Sequence, residues 1–180
     1  MNVIESKLKG LLVLEPKVFG DSRGFFLESF NEKVMADAGI RDRFVQDNHS
    51  LSARNVLRGL HYQVQRPQGK LVRVAVGEVL DVAVDLRRSS PTFQQWKSVK
   101  LSGDNKRMLW VPPGFAHGFL VLSENAHVLY KTTEFYLPQL ERTIAWDDPD
   151  LKIDWQLDGP PSLSEKDRHG LPLREAEVFE

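Results

Sequence analysis

A chain of 180 residues, 41 % hydrophobic and 27 % charged, has the size and composition of one water-soluble domain, taken here as residues 1–180, that buries roughly 70 % of its unfolded surface. The formal net charge is −1 with no polybasic or polyacidic run, which gives no case for nucleic acid or a membrane surface as partner. An anionic ligand therefore has to be held by a few placed cations. The lack of cysteine excludes a disulfide scaffold, a thiolate nucleophile and a zinc site built on sulfur. Met1 to Gly10 has no secretory h-region and no apolar run approaches the ~20 residues of a membrane span, so a cytoplasmic protein is expected.

In chain order, Asn31 is placed to cap a short helix running through Ala38, with Gly39 just past its end. The middle of the chain reads as β structure. Leu71 to Leu86, LVRVAVGEVLDVAVDL, is rich in β-branched residues and broken once at Gly77-Glu78, which predicts a half-buried hairpin. In its second half Leu80, Val82, Val84 and Leu86 share one face and Asp81, Ala83 and Asp85 the other. Ser89-Ser90-Pro91 marks a turn, and a strand resumes from Phe93 to Leu101. Pro112-Pro113-Gly114 punctuates before the apolar Phe119 to Leu122, and Ser123-Glu124-Asn125 turns the chain into a strand from Ala126 to Tyr136. Gly159-Pro160-Pro161 opens a C-terminal arm, with a second helical turn from Ser164 to Arg168. Many short strands with Pro and Gly at the turns favour an all-β sandwich or barrel with a few short helices.

Two histidines stand in informative surroundings. His61 lies in Arg58-Gly59-Leu60-His61-Tyr62-Gln63, shortly before Gly69-Lys70, and His117 lies in Pro112-Pro113-Gly114-Phe115-Ala116-His117-Gly118-Phe119. Taken singly, either one reads as a structural histidine. The spacing of Pro112, Gly114 and His117, however, resembles the second half of the cupin signature, which implies a jelly-roll β-barrel. In many cupins that histidine binds a metal together with an H-x-H pair and a glutamate. Here the earlier position reads His61-Tyr62-Gln63, and two histidines without a carboxylate are too few for a non-haem metal site, so no metal is expected.

The resemblance sharpens further along the chain. Asp21-Ser22-Arg23-Gly24-Phe25-Phe26 with Glu28, Gln46-Asp47-Asn48-His49-Ser50, Leu57 to Gln63, Gly69-Lys70, the block from Pro112, Tyr130-Lys131 and Leu163-Ser164-Glu165-Lys166-Asp167 occur in order. Together they resemble the dTDP-4-dehydrorhamnose 3,5-epimerase family, over essentially Gly10 to His169. That resemblance implies a cofactor-free isomerase converting dTDP-4-dehydro-6-deoxy-D-glucose to dTDP-4-dehydro-L-rhamnose, a step in making dTDP-L-rhamnose. Protons on C3 and C5 of such a sugar are both α to the C4 ketone. Inverting each centre requires a base on one face, an acid on the other and a cation for the enolate oxygen.

The resemblance implies His61 as base, Asp167 as the carboxylate that orients it, Tyr130 as proton donor and Lys70 as the cation at the C4 oxygen. Tyr130 shares a strand face with Ala126, Val128 and Thr132, so an inward phenol is also the reading of the pattern. Arg23, Arg58 and Lys166 are implied as cations near the diphosphate and sugar, and Glu28, Gln46, Asn48, His117 and Glu141 as substrate-binding positions. Phe26 and Tyr136 are implied as an aromatic pair holding the thymine. The resemblance further implies a homodimer in which Arg23, Phe26 and Glu28 reach the neighbouring subunit's site. Arg58 and His61 point to opposite faces of a regular strand, unless Gly59 hosts a bulge or one residue lies beyond the strand. The alternatives are an epimerase acting at one carbon, a ketoisomerase on the same barrel, and a non-catalytic sugar-binding cupin.

Overall fold

β-Branched runs separated by Gly, Pro and Asn turns form thirteen strands and two short helices, described for residues 1–180 in a computed structural model. In order they are β1 (Asn2–Glu5), β2 (Leu12–Glu15), β3 (Val18–Asp21), β4 (Gly24–Leu27), α1 (Glu32–Asp37), β5 (Gln46–Ala53), β6 (Leu57–Gln63) and β7 (Lys70–Val76). There follow β8 (Glu78–Asp85), β9 (Trp96–Ser102), β10 (Met108–Val111), β11 (Phe115–Val121), β12 (Asn125–Thr132), β13 (Glu141–Thr143) and α2 (Glu165–Arg168). One sheet has the order β1-β2-β10-β7-β12-β5, the other β13-β6-β11-β8-β9, and β3 and β4 form a separate hairpin. Four strands of each sheet, β5-β12-β7-β10 and β6-β11-β8-β9, are the two walls of an antiparallel jelly roll. The expected all-β cupin-type barrel is the observed one. No helix is long and apolar enough to cross a membrane.

Between the walls, Val72, Val74, Leu109, Val111, Ala126 and Val128 meet Val79, Val99, Leu101, Phe115, Phe119 and Val121. Toward one end the inward rows become polar. Along β12, Ala126 and Val128 give way to Tyr130 and Thr132, and along β7 the valines give way to Lys70. This switch divides the barrel into an apolar plug and a polar mouth. The outer face of the five-stranded sheet is covered by the chain after β13, C-terminal arm included, where Ile144, Leu151, Trp155 and Leu173 pack on Leu57, Leu80, Val82, Val84 and Leu120. At the other sheet α1 contributes Met35 to a cluster with Leu14, Leu71, Met108 and Trp110. The Asn31 side chain caps α1 by accepting from the amides of Lys33 and Val34, and Gly39 follows at a φ of +89°.

Local pattern misjudged the segment Leu71 to Leu86. Its two strands do not form a hairpin: β7 pairs with β10 and β12, whereas β8 pairs with β11 and β9 in the opposite wall. The crossing occurs at Gly77, whose φ is +78° and where a Cβ would lie 2.0 Å from the Asn125 carbonyl oxygen. Nor is β8 half-buried, because the arm that covers its outer face is distant in sequence. The next strand starts at Trp96 and not Phe93, since Ser90 to Gln95 are used in a turn closed on Asp85. β12 ends at Thr132 and not Tyr136, where the Thr132 hydroxyl donates to the Glu134 carbonyl as the chain leaves the sheet.

The Arg58–His61 parity is resolved by a bulge. His61 pairs with His117 and Arg58 with Phe119, so three steps on β6 face two on β11. Gly59 occupies the irregularity at a φ of +131°, with its Cα side pressed on Gly118: a Cβ there would lie 2.5 Å from the Gly118 Cα. On Gly118, a Cβ would lie 2.7 Å from the Arg58 carbonyl oxygen. Gly118→Ala is therefore expected to push β6 and β11 apart, lowering stability by about 1–3 kcal/mol in denaturant titration. Because His61 and His117 flank that contact, turnover should fall further than stability alone explains. A fully active, equally stable variant would contradict this.

Candidate active site

The polar mouth is a cavity of about 280 Å³ whose walls come from the two sheets. From the six-stranded sheet come Gln46, Asn48 and Ser50 on β5, Lys70 on β7, and Tyr130 and Thr132 on β12. From the five-stranded sheet come Arg58 and His61 on β6, His117 on β11 and Glu141 on β13. Gly118, Phe119, Gln68, Tyr136 and Lys166 complete the lining.

His61 Nε2 donates to Asp167 Oδ1 at 2.6 Å, across 106 residues of sequence. Asp167 is 2 % exposed and is held on its other sides by the Ser164 hydroxyl, 2.6 Å from Oδ2, and by the Gly59 amide, 3.1 Å from Oδ1. Burial works to raise its pKa, but the hydrogen bonds from His61, Ser164 and Gly59 together hold it below the usual aspartate value. Burial also pushes the His61 pKa below the ordinary imidazole value, against the opposing bond to Asp167 and with help from the charge of Lys166. The ring is thus neutral at neutral pH, and with Nε2–H committed to the carboxylate, Nδ1 is the basic atom.

Lys70 is 8 % exposed and its ammonium has one hydrogen bond, to the His61 carbonyl oxygen at 3.3 Å. Burial lowers its pKa to about 8, partly offset by the carboxylates of Glu141 and Asp81. Tyr130 is half-buried on the facing wall. Desolvation raises its pKa, with Arg58 acting against this and Glu141 with it, so the phenol keeps its proton. At the rim, Glu141 accepts from the Lys166 ammonium at 2.8 Å and the Tyr136 hydroxyl at 2.9 Å. Deeper in, the Arg58 Nε donates to the Ser52 hydroxyl at 3.0 Å, leaving the rest of its guanidinium for the cavity. Gln46 donates to Asn48 at 2.9 Å and accepts from the Tyr136 amide at 3.0 Å. His117 Nε2 donates to Asp81 Oδ1 at 2.8 Å.

Eleven of the residues singled out from sequence thus converge: His61, Lys70, Tyr130, Gln46, Asn48, Arg58, His117, Tyr136, Glu141 and Lys166 line the cavity, and Asp167 lies behind His61. Arg23, Phe26 and Glu28 do not join them within one chain. They sit on and just after the β3–β4 hairpin, where Arg23 pairs with Asp21, Glu28 accepts from Asn31 at 3.1 Å, and Phe26 is 69 % exposed against Phe19. Phe26 and Tyr136 therefore form no aromatic pair in the single chain. Sequence reading missed Asp81, Ser52 and Ser50; the Ser50 hydroxyl lines the cavity, buried and without a partner in the protein. Ser50 and Ser52 share the inward row of β5 with Gln46 and Asn48, and that alternation was the available signal. No three His, Asp or Glu side chains are grouped to hold a metal ion.

A jelly roll with an imidazole–carboxylate base on one wall, and a protonated phenol and a buried ammonium on the other, defines an isomerase-type proton-transfer site. The sequence model of the family described as dTDP-4-dehydrorhamnose 3,5-epimerase matches residues 5–175. The chain is 58 % identical to the dTDP-4-dehydrorhamnose 3,5-epimerase of Pseudomonas aeruginosa, over 99 % of both chains, and 56 % identical to that of Shigella flexneri, again over 99 % of each. A crystal structure of a dTDP-6-deoxy-D-glucose-3,5-epimerase from Legionella pneumophila in complex with dTDP-4-keto-L-rhamnose superposes with a TM-score of 0.95 at 54 % identity, covering 98 % of this chain and 94 % of that one. The chain belongs to the dTDP-4-dehydrorhamnose 3,5-epimerase family and is an isomerase.

The two titrating groups set opposite limbs of a pH profile. A base at His61 would act only when neutral, so kcat/KM should fall on acidification through a pKa below the ordinary imidazole value. The Lys70 ammonium is lost as pH rises through about 8, so kcat/KM should fall again there. Steady-state rates across pH test this, and a rate still climbing well above that point would remove the ammonium from the reaction.

Proposed function

We propose that this protein is the dTDP-4-dehydrorhamnose 3,5-epimerase of a dTDP-L-rhamnose pathway, converting dTDP-4-dehydro-6-deoxy-D-glucose to dTDP-4-dehydro-L-rhamnose with His61, Asp167, Tyr130 and Lys70 as its chemical groups. The observation that carries the reading is that His61 and Tyr130 enter one cavity from opposite sheets. A sugar ring lying between them offers one face to a base and the other to an acid. His61 Nδ1 removes the proton α to the C4 ketone while the C–H electrons move into the enolate, whose oxygen is stabilised by the Lys70 ammonium. Tyr130 returns a proton to the same carbon from the opposite face, inverting it. His61 is left as imidazolium, stabilised by Asp167, and Tyr130 as phenolate, and both reset before the second centre is processed. Arg58 and Lys166 supply positive charge for the diphosphate. Gln46, Asn48, His117 and Glu141 orient the sugar and nucleotide, and Tyr136 stacks on the thymine.

The same reading makes the protein a homodimer. Arg23, Phe26 and Glu28 stand on an exposed hairpin away from their own chain's cavity, with Phe19 and Phe25 also exposed beside them. Inserted at a partner's site, the hairpin would add a guanidinium, an aromatic face and a carboxylate where the nucleotide lies.

Incubating the protein with dTDP-4-dehydro-6-deoxy-D-glucose in deuterated water after chelator treatment tests the reaction by NMR. The expected result is deuterium at C3 and C5 with both centres inverted. Label at one carbon would indicate a mono-epimerase, and no label a binding protein or another substrate. His61→Ala should lose ~10²–10⁴-fold or more in turnover while still binding dTDP. Tyr130→Phe should keep exchange by His61 but lose inversion.

The donated hairpin has its own test. Arg23→Ala and His61→Ala homodimers should each be nearly inactive, and mixing them through unfolding and refolding should restore about a quarter of wild-type activity, in mixed dimers with one intact site. No recovery would mean that Arg23 serves its own chain, and an active Arg23→Ala homodimer that it serves no site.

A further inference from the structure

One buried charge has no task in this mechanism. Asp81, in the middle of β8, is 0 % exposed; Oδ1 accepts from His117 at 2.8 Å, and Oδ2 has no hydrogen-bond partner in the protein. Its cross-strand neighbours are Phe119 and Val99, so the carboxylate stands against the apolar plug. A half-satisfied carboxylate in such a place is costly, since each buried oxygen left unpaired gives up its hydration without return. An Asn would hold His117 equally well at a lower desolvation cost, which directs attention to the charge itself.

The groups around Lys70 show what that charge acts on. Lys70 lines the cavity with His117 and donates to the His61 carbonyl oxygen, and the carboxylates of Glu141 and Asp81 favour its ammonium form while Lys166 opposes it. Glu141 is already neutralised by Lys166 at 2.8 Å and shares its other oxygen with Tyr136. Asp81 has no cation of its own within salt-bridge distance other than the ring of His117. It is therefore a negative charge with no cation of its own, set behind His117, which lines the cavity together with Lys70. His117 is the direct cross-strand neighbour of His61, and each ring has its Nε2 tied to a different carboxylate, leaving the Nδ1 atoms free.

We propose that Asp81 is a positioning residue for the epimerisation: Oδ1 fixes the His117 ring with Nδ1 available to the C4 oxygen, and the unshared charge holds Lys70 as an ammonium beside that oxygen. This rests on the assignment of Lys70 to the enolate oxygen. Asp81 touches no reacting atom and acts through two groups that do.

Asp81→Asn keeps the shape and the acceptor for His117 but removes the charge. At neutral pH its kcat should fall by about tenfold or more with KM and dTDP affinity nearly unchanged, and the alkaline limb of the pH profile should move to lower pH. A normal kcat, or a lowered kcat with the alkaline limb unmoved, overturns the inference. His117→Asn provides a second test if Asp81→Asn does not fold. It should lower kcat while leaving the alkaline limb in place, because the Asp81 charge remains; an unchanged kcat or a displaced limb counts against the proposal. Lys70→Met separates this inference from the reading beneath it. A normally active Lys70→Met removes the enolate assignment itself, whereas an inactive Lys70→Met beside an Asp81→Asn enzyme of normal profile removes only the role of Asp81.

Discussion

The site depends on one buried carboxylate. Asp167 cannot remain ionised at 2 % exposure without hydrogen bonds, and the three groups that donate to its carboxylate oxygens come from two distant parts of the chain: Gly59 and His61 on β6, and Ser164 at the cap of α2. Those parts meet because the C-terminal arm packs on the outer face of the five-stranded sheet. The arm runs beside β6, with the Leu57 amide on the Ser162 carbonyl at 3.0 Å and a further bridge between Ile144 and Leu171. Burying each such Leu contributes on the order of 1.5–3 kcal/mol. Apolar burial outside the barrel thus offsets the cost of a charge held inside the site.

The same arm sets more than the base. It brings Lys166, one residue before Asp167, onto Glu141, which in turn holds the Tyr136 hydroxyl. The Lys166 charge lowers the pKa of both His61 and Lys70. One short helix therefore orients the His61 ring, lowers its proton affinity and joins Glu141 at the rim of the cavity. A loosened arm would disturb all three together, so effects on base strength and on rim contacts are coupled by construction.

What could be read from sequence follows from how local each signal is. The Asn31 cap with Gly39, and the turn at Ser164, depend on neighbours within four residues and appear where the pattern puts them. The inward phenol of Tyr130 follows from strand alternation and needed nothing further. The junction at Gly77 did not follow. A glycine between two β-branched runs looks alike whether the chain folds back on itself or crosses to another sheet, and the crossing is settled by Asn125 and Ala126, far along the chain. Burial of β8 on both faces was hidden because its cover is the arm. Asp167 beside His61 was reachable through the family motif alone, since no spacing rule spans 106 residues. Asp81 read as an outward residue of a half-buried strand, and its inward position became legible once both faces of β8 were known to be covered. Arg58 and His61 left two geometries open, and the extra residue at Gly59 selects the bulge.

The two histidines beside that bulge sit side by side and differ in the carboxylates that hold them. His61 and His117 are register partners on neighbouring strands, a placement from which two rings could turn toward a common point. Each is instead committed through Nε2 to its own carboxylate, Asp167 in one case and Asp81 in the other. The Asp167 carboxylate has its remaining lone pairs filled by Ser164 and Gly59, whereas Asp81 has an oxygen to spare. Both carboxylates carry a full charge, but the donors on Asp167 are dipoles that partly screen it locally, whereas the free oxygen of Asp81 has no such dipole in front of it. Under the roles proposed for them, one pair moves a proton and the other shapes the field around Lys70, and the difference lies in the partners of the carboxylates and not in the histidines.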